Sequence, residues 1–430
     1  MDQESPLFRT FRTWLVEQGA YIHPSIYFAS GSGSFGNAVY TKDALDGGNT
    51  KLVSCPFSLV ITSKTAREAL GRFVGSSEES PLNDNETLCT YLMLHICLGG
   101  IRDRSLAIES LVHGPYVAIL PREILTPIFF SEQEFELLRG TNLYLSTLER
   151  KEGWRHSWKR CQTWINLPED VFTMDLFMLA QTWISSRAFP SSLMDDSPSL
   201  SSSNSVQILV PLVDSLNHAR GAPVSWSVDD NGPQQKHKSK SLSIVSHYAA
   251  EKNKELFNNY GAKPNDELML GYGFTLANNP EDGLSLKLPG GERRYRISRK
   301  AGSGVRGSEE EAVWNEIGRR LQEGFAMDTD DLDVMMVELE MEIGQVLPEM
   351  ISDLRSRLPT IVDPTMRQLE AVRPQVQSMI YHYAQGQYDI LDDLMAFARR
   401  RLKVAMEKAE QLGIDITLES GEEEEEEEDR

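Results

Sequence analysis

Apolar positions recur with two different periods along the chain, and these periods divide it into blocks. Residues 8–18 repeat apolar side chains at helical spacing and stop at Gly19. Residues 26–62 combine glycine-rich turns with β-branched runs, which predicts short strands. Helical spacing follows over residues 63–186, and strand-like runs return from 207 to about 288. A single β domain with a long helical insertion explains this order better than two β domains.

The pattern becomes wholly helical after Pro289. Ser308 and Glu311 have the spacing of a capping box, and an all-α domain is predicted over residues 300–415. The glutamate-rich residues 419–430 contain too little apolar surface to form a core, so we predict that they are disordered. A methionine-rich stripe is expected to lie in the core of the helical domain. Its members share one helical face: Leu332, Met335, Met336, Leu339, Ile343, Val346 and Leu347.

Net charge narrows the classes of partner. The chain carries −21, of which the eight acids and one arginine of residues 422–430 contribute −7, leaving −14 for the remainder. This balance argues against general affinity for phosphate backbones, and no specific nucleic acid is expected. The basic clusters at 236–240, 293–300 and 399–403 are separated and are each interpreted as a solvated face. The acidic body suits a basic protein partner, or simply solubility.

Cysteine usage and apolar run lengths indicate the compartment. The four cysteines lie far apart without a CxxC pair, so reduced thiols and no metal site are predicted. No apolar run reaches the roughly 18 residues that span a bilayer, and residues 1–14 do not have the pattern of a secretory signal. A cytoplasmic or nuclear protein with no membrane association is expected.

Two stretches contain candidate chemistry. An apolar run over residues 208–213 is interpreted as a buried strand that continues through Asp214 and ends on Asn217 and His218. The second stretch, residues 255–284, contains Tyr260-Gly261 followed by Asn265 and by Tyr272-Gly273-Phe274. Each piece taken singly is typical of a turn or a strand end.

Together, these pieces resemble the SET-domain methyltransferases of the Rubisco large-subunit methyltransferase group. That group includes fungal ribosomal-protein lysine methyltransferases and related lysine and actin-histidine methyltransferases. The matching motifs are "SRAF" (186–189), "DSLNH" (214–218), "YGAKPNDELMLGYGFTLANNPED" (260–282) and "GSFG" (33–36). The resemblance covers roughly residues 8–290, and the C-terminal helices match only in type.

The resemblance implies a mixed α+β architecture. It is a SET-type β fold with a pseudoknot over residues 8–290, a helical insertion at about 63–186, and a helical substrate-binding domain over 300–415. The implied activity is S-adenosylmethionine-dependent transfer of a methyl group to a protein lysine, with a ribosomal protein as a candidate substrate. A monomer that acts on a basic protein is expected.

The resemblance also implies the roles of individual residues. Tyr260 is the predicted catalytic residue, which holds the polarised methyl group through weak CH···O contacts. Arg187 is expected to pair with the carboxylate of the cofactor, and Asn217 to hold its amino-acid end. His218 is expected to contact the adenine through its backbone. The full set predicted to bind S-adenosylmethionine is Gly33, Ser34, Phe35, Arg187, Asp214, Asn217, His218, Tyr260 and Phe274.

Two departures from the pattern leave alternatives open. The turn "GSGSFGNAV" keeps glycines but lacks the acidic residue of the group, and "NKE" (253–255) replaces its "GEE" turn. A histidine acceptor is one alternative, because related members of the group modify that side chain. A catalytically silent SET scaffold that binds a basic protein is the other.

Overall fold

The computed structural model describes residues 4–31, 36–75, 80–98, 110–199, 204–230, 240–299, 308–324 and 332–414. The predicted cofactor turn at Gly33, Ser34 and Phe35 lies outside the described residues, as does the predicted disordered tail. No helix among these ranges combines the length and the apolar character that a bilayer span requires.

Helices dominate the middle and the C-terminal part of the described chain. The helices are α1 (Pro6–Glu17), α2 (Ser63–Val74), α3 (Asp84–Cys97), α4 (Gly114–Ile119), α5 (Glu132–Glu136), α6 (Asn142–Ile165), α7 (Met174–Arg187), α8 (Asn265–Tyr272), α9 (Ser308–Gly324), α10 (Leu332–Arg357) and α11 (Pro374–Leu412). The strands are β1 (Tyr21–Ile22), β2 (Ile26–Ser30), β3 (Asn37–Thr41), β4 (Thr50–Pro56), β5 (Ala188–Pro190), β6 (Gln207–Leu209), β7 (Asn217–His218), β8 (Val224–Asp230), β9 (Lys240–Ser246), β10 (Glu255–Asn258), β11 (Gly283–Lys287) and β12 (Arg294–Ser298).

The strands before and after the helical insertion pair with one another. One four-stranded sheet has the order β1-β4-β9-β8 and another the order β2-β3-β10-β7. In the second sheet Val39 of β3 is opposite Leu256 of β10 in antiparallel register. The two β blocks therefore form one β structure, and the prediction of a long helical insertion is confirmed.

The chain divides into two compact units. The first contains Met1–Glu136, Leu143–Thr275 and Leu369–Met379; the second contains Leu137–Asn142, Leu276–Gln368 and Ile380–Arg430. The division after Thr275 comes earlier than the boundary predicted near residue 290, and the β11–β12 hairpin is part of the second unit.

Helix α7 forms the centre of the first unit. Its residues Phe177, Ala180, Trp183 and Ile184 are fully buried, because apolar side chains occur on several sides of the helix. The indole nitrogen of Trp183 donates to the carbonyl of Pro121 at 2.7 Å, so its one polar group is also paired. Packing on this scale fixes the C-terminal end of α7, where Arg187 is located.

Arg373, which precedes α11, is anchored within the first unit by Glu134. The carboxylate of Glu134 accepts from the Ser131 amide at 3.0 Å, which is one of the two bonds of a capping box, and from Arg373 Nη2 at 2.7 Å. Burial opposes ionisation of Glu134, but these hydrogen bonds outweigh it and lower its pKa to about 2. The carboxylate therefore stays charged and holds the segment that begins at Leu369.

The second unit has its own core, in which Trp314 and Phe397 pack edge to face at 5.9 Å. The predicted apolar stripe of α10 is only partly right. Ile343 and Leu347 are buried, but Leu332 is 66% exposed and Met336 is 46% exposed. The helical period determines that these residues share one face of α10. Other elements cover that face from the middle of the helix onward, but they leave its first turns exposed.

Two strand predictions are wrong. The run at 208–213 is not one strand, because β6 ends at Leu209 and Pro211 cannot donate a ladder hydrogen bond. The backbone then turns at Leu212, whose φ is +81°. Residues 265–272 form a helix, since a short apolar run is compatible with either period and the helix begins directly after Pro264.

A buried histidine pair in the first unit makes a pH dependence testable. His113 Nε2 faces the carbonyl of Leu59 at 3.2 Å, so it must carry the proton, and Nδ1 accepts from the Tyr91 hydroxyl at 2.6 Å. His95 Nδ1 donates to the Tyr91 carbonyl at 2.9 Å. Burial lowers the pKa of each histidine to about 4.

We expect the free energy of unfolding to fall as the pH falls from 6.5 to 4. In this window the unfolded chain binds protons at His95 and His113 that the folded chain excludes, at a cost of about 2 kcal/mol per histidine at pH 5 relative to pH 7. Urea unfolding at pH 7 and pH 5 measures the loss, and the double variant His95→Gln/His113→Gln should reduce it. Replacing exposed His156 with glutamine should leave the loss unchanged; an equal reduction in both variants would contradict the assignment.

Candidate active site

Two cavities in the first unit share a wall. The larger has a volume of about 760 Å³ and the smaller about 60 Å³. Four residues line both cavities, namely Ser186, Arg187, Tyr260 and Tyr272. A group at this wall can therefore contact molecules that enter from either side.

Short parallel pairing of β7 with β10 brings the two predicted motifs together. Asn217 is opposite Phe257, and His218 is opposite Asn258. Tyr260 follows β10 by two residues, which places it beside His218. The C-terminal ends of β7 and β10 therefore lie next to Tyr260, although about forty residues separate the two strands along the chain.

Four aromatic rings surround the smaller cavity. The ring of Tyr260 stacks on that of His218 at 5.1 Å and on that of Tyr272 at 5.3 Å. The ring of Phe274 lies 5.9 Å from His218 and 6.2 Å, edge on, from Tyr272. Negative ring faces at this spacing favour a positively charged ligand group.

Hydrogen bonds fix Tyr260 at both ends. Its hydroxyl donates to the carbonyl of Leu216 at 2.9 Å, and its amide donates to His218 Nδ1 at 3.0 Å. Burial raises the pKa of the phenol. Tyr260 is thus held as a neutral phenol, whose oxygen retains lone pairs after donating its proton.

A buried ion pair lies beside Tyr260. Arg187 Nη1 donates to the Asp214 carbonyl at 2.8 Å and is 3.5 Å from its carboxylate oxygen Oδ2. The hydroxyl of Tyr116 donates to the same Oδ2 at 2.6 Å. Burial raises the pKa of Asp214 although these partners oppose the rise. Within the described chain, Arg187 Nε and Asp214 Oδ1 have no hydrogen-bond partner.

The turn before Asp214 is strained. Leu212 is fully buried and has φ +81° and ψ −50°, a region that L-residues with branched side chains rarely occupy. Such a conformation costs on the order of 1–3 kcal/mol and persists only where its surroundings enforce it. It redirects the chain so that Asp214 enters the interior and Asn217 starts β7.

Asn217 has a partner that the motif comparison missed. Its amide nitrogen donates to the Glu255 carboxylate at 2.8 Å. A carboxylate can only accept, so the amide carbonyl of Asn217 must face the other way, and Asn217 lines the smaller cavity. Glu255 therefore sets the orientation of Asn217. The signal in the sequence was the acidic residue five positions before Tyr260, which we interpreted only as part of a departure from the family's turn.

Replacing Glu255 with glutamine is expected to weaken binding of the predicted cofactor, S-adenosylmethionine, about tenfold, which is the effect of losing about one hydrogen bond. Glutamine can present its own NH₂ and let the amide of Asn217 reverse. Burial raises the pKa of Glu255, so wild-type affinity should fall as the pH falls through that pKa, whereas the variant should show a flatter profile. Isothermal titration across pH measures both effects. Glu251→Gln, an exposed neighbour, is the control, and identical profiles in all three proteins would contradict this role.

The wall of the larger cavity beyond Tyr260 is mainly apolar. Phe189 and Trp226 lie edge to face at 4.9 Å. The indole of Trp226 donates to Asn258 Oδ1 at 2.8 Å, which also accepts from the Asn259 amide. Asn258 is fully buried, so this hydrogen-bonded corner is rigid.

The structure brings most of the predicted site residues together. Arg187, Asn217, His218, Tyr260 and Phe274 all line the smaller cavity, and Asp214 lines the larger one with Arg187 and Tyr260. The ring of His218 accepts a hydrogen bond from the Tyr260 amide, a role that we did not predict, while its backbone contact with the adenine stays a prediction. Over the described ranges there is no cluster of three or more metal-ligating side chains. Binding by these residues stays a prediction.

Sequence comparison relates the chain to lysine methyltransferases. The chain is 34% identical over 276 residues to ribosomal lysine N-methyltransferase set10 of Schizosaccharomyces pombe, covering 64% of this chain and 46% of the relative. It is 30% identical over 223 residues to the chloroplastic Rubisco large-subunit N-methyltransferase of Pisum sativum, covering 50% and 40%. The chain thus spans about half the length of the curated relatives it matches. No family model matches it.

Solved structures show the fold. The SET domain of Rubisco LSMT, bound to methyllysine and AdoHcy, matches with a TM-score of 0.67 at 17% identity, over 95% of this chain and 97% of that one. Rubisco LSMT bound to AdoMet matches with a TM-score of 0.65 at 18% identity, over 96% and 97%. The chain therefore has the SET-type fold of the Rubisco large-subunit methyltransferase group, and the resemblance predicted from its motifs is confirmed.

Proposed function

We propose that this protein is an S-adenosylmethionine-dependent protein-lysine N-methyltransferase. The observation that carries the proposal is the shared wall, where Tyr260 lies between the two cavities beside Arg187. Methyl transfer from a sulfonium is an in-line displacement, which needs a donor on one side and an acceptor nitrogen on the other. Two cavities that meet at one tyrosine provide that arrangement.

The residues at the smaller cavity suit the charged groups of S-adenosylmethionine; a cavity of about 60 Å³ holds only part of the cofactor, and the rest would extend beyond it. Arg187 offers a largely buried guanidinium, with 14% of its side chain exposed, for the carboxylate of the cofactor. The carbonyl of Asn217, oriented by Glu255, suits its ammonium group. The rings of His218 and Phe274 offer faces to its sulfonium and adenine. When bound, the cofactor supplies the methyl group.

Tyr260 acts by positioning and not as a base. Its hydroxyl proton is directed to the Leu216 carbonyl, so its lone pairs remain for weak CH···O contacts with a polarised methyl group. Because burial raises its pKa, the phenol has no tendency to ionise near neutrality. The acceptor must arrive at Tyr260 already deprotonated.

The larger cavity suits the side chain of lysine. Phe189 and Trp226 provide apolar surface for its methylene stem. Removal from water inside the cavity lowers the pKa of an amine from its usual value of about 10.4, which eases transfer of the proton to solvent water before the side chain reaches Tyr260. A histidine acceptor is the second candidate, and a silent scaffold the third.

The acidic body and the similarity to ribosomal lysine N-methyltransferase set10 support a basic, ribosomal protein as substrate. We further propose that the enzyme is a monomer, binds no specific nucleic acid, and is cytoplasmic or nuclear. The net charge supports the absence of nucleic acid and the cysteine usage supports the compartment, whereas the monomer is an expectation from the resemblance.

Incubating the purified chain with radiolabelled S-adenosylmethionine and cell extract tests the proposal. The expected result is a labelled basic protein that carries methyllysine on amino-acid analysis. Label in methylhistidine would favour the second candidate. The scaffold would give no label, and it would also show no thermal shift at millimolar cofactor, whereas a cofactor at 100 times Kd stabilises a binder by about 2.7 kcal/mol.

A further inference from the structure

Helices α10 and α11 of the second unit form a groove with an apolar floor and a basic edge. We call it the C-terminal groove; its volume is about 600 Å³, and Met336, Val337, Arg400, Lys403, Val404 and Lys408 line it. Met336 is 46% exposed and Val404 is 50% exposed. Exposed apolar side chains at neighbouring positions of two helices are typical of a surface that another segment covers.

The basic edge of the groove is not neutralised. Arg401 is committed to Glu311 and Glu340, at 3.0 and 2.8 Å. Within the described ranges, exposed Arg400 and Lys408 form no ion pair, and Lys403 reaches only Glu407 of its own helix, at 4.0 Å. The groove therefore suits a segment that carries both acidic and apolar side chains.

The chain turns back on leaving α11. The Gly413 amide donates to the Glu410 carbonyl at 3.1 Å, and the Ile414 amide donates to the Ala409 carbonyl at 3.0 Å. This pair of bonds, with φ +71° at Gly413, is a Schellman motif, which ends a helix by reversing the chain. Ile414 accordingly lies beside Lys403 and Glu407 on the surface of the helix.

The sequence that follows has the composition the groove requires. Apolar residues alternate at 414, 416 and 418, and eight acidic residues occupy 422–429. Arg400 precedes the end of α11 by twelve residues, which is about 18 Å along a helix. Residues 413–421, when extended, can span about 30 Å. The acidic run can therefore reach the whole basic edge.

We propose that residues 415–429 of this chain occupy the C-terminal groove. Ile416 and Leu418 would cover Met336 and Val404, and the acidic run would lie along Arg400, Lys403 and Lys408. The interaction is within one chain and excludes acidic segments of other proteins from the groove. It does not depend on the proposed methyltransferase activity.

Zero-length carbodiimide cross-linking of the full chain, followed by peptide mass spectrometry, tests this. The reagent joins a lysine amine to a carboxylate in contact with it. We expect links from residues 422–429 to Lys403 and Lys408, and at least fivefold fewer links in 0.5 M salt, where the Debye length is about 4 Å. The neighbouring Lys403–Glu407 pair provides an internal control for the reaction.

Exposed charge and apolar surface can be changed without touching the linked lysines. The double variant Arg400→Glu/Val404→Asp should lower the yield of tail links at least fivefold. The matched control, Arg72→Glu/Val16→Asp, changes an exposed pair in the first unit and should leave the yield unchanged. Tail links to exposed lysines such as Lys64 and Lys252 at equal yield would overturn the proposal. Links that join chains of different isotope label would equally overturn it, in favour of a second copy.

Discussion

Replacing Tyr260 with phenylalanine is expected to lower turnover on the order of 100-fold or more, a loss typical of removing one preorganised polar group at a reacting centre. The variant keeps the ring, and with it the stacking on His218 and Tyr272. It loses the hydroxyl oxygen, which the hydrogen bond to the Leu216 carbonyl holds in place at the shared wall. Steady-state kinetics with the labelled substrate measure kcat, which should fall. Cofactor titration measures the affinity for the cofactor, which should stay unchanged.

Tyr248→Phe is the control for this variant. The Tyr248 hydroxyl also bonds to the backbone, accepting from the Phe257 amide at 3.0 Å, but it lines neither cavity. Its loss should cost about 1 kcal/mol of stability and leave turnover within a few-fold. Near-normal turnover in Tyr260→Phe would remove Tyr260 from the mechanism.

Replacing Arg187 with methionine is expected to destabilise the fold by about 3–5 kcal/mol at neutral pH, because it leaves the buried Asp214 carboxylate without its cation. The Asp214 carboxylate can relieve this cost by becoming protonated. Its pKa, already raised in the folded chain, rises further in this variant. The penalty should therefore be small below the unfolded pKa of about 3.9 and grow as the pH rises. Urea unfolding between pH 4 and pH 8 measures this slope.

The double variant Arg187→Met/Asp214→Asn separates stability from binding. It should regain most of the lost stability, since no unpaired charge remains, but it should not regain cofactor affinity if Arg187 holds the carboxylate of the cofactor. Arg150→Met, which removes a guanidinium bonded only to the Leu270 carbonyl and stacked on Trp154, should cost about 1 kcal/mol and leave binding intact. Full cofactor affinity in the double variant would contradict the role of Arg187.

The motifs predicted which residues lie close together better than they predicted the local structure around them. Their order located Arg187, Asn217 and Tyr260, because a motif fixes which residues meet without saying how the backbone brings them there. The apolar run before Asp214 was misinterpreted as a strand, since periodicity does not detect a residue such as Leu212 held at positive φ. Glu255 was overlooked because its role depends on the register of β7 against β10, which is a long-range property.

The C-terminal helices show a related limit. Period 3.6 correctly identified the face that carries Ile343 and Leu347, but not how far along α10 that face is covered. Burial depends on where the partner helices lie, and no local pattern contains that information. The exposed end of the stripe is the part that contributes to the C-terminal groove.

The pairing of β3 with β10 has a consequence for biosynthesis. Val39 and Leu256 are neighbours in the sheet but are more than two hundred residues apart in the chain, a separation that slows folding through loop-closure entropy. While the polypeptide is being translated, β3 can pair with β2, but its other edge lacks β10 and Tyr260 has not yet been synthesised. Chains terminated anywhere before β10 should therefore lack activity completely, however well their helical insertion folds.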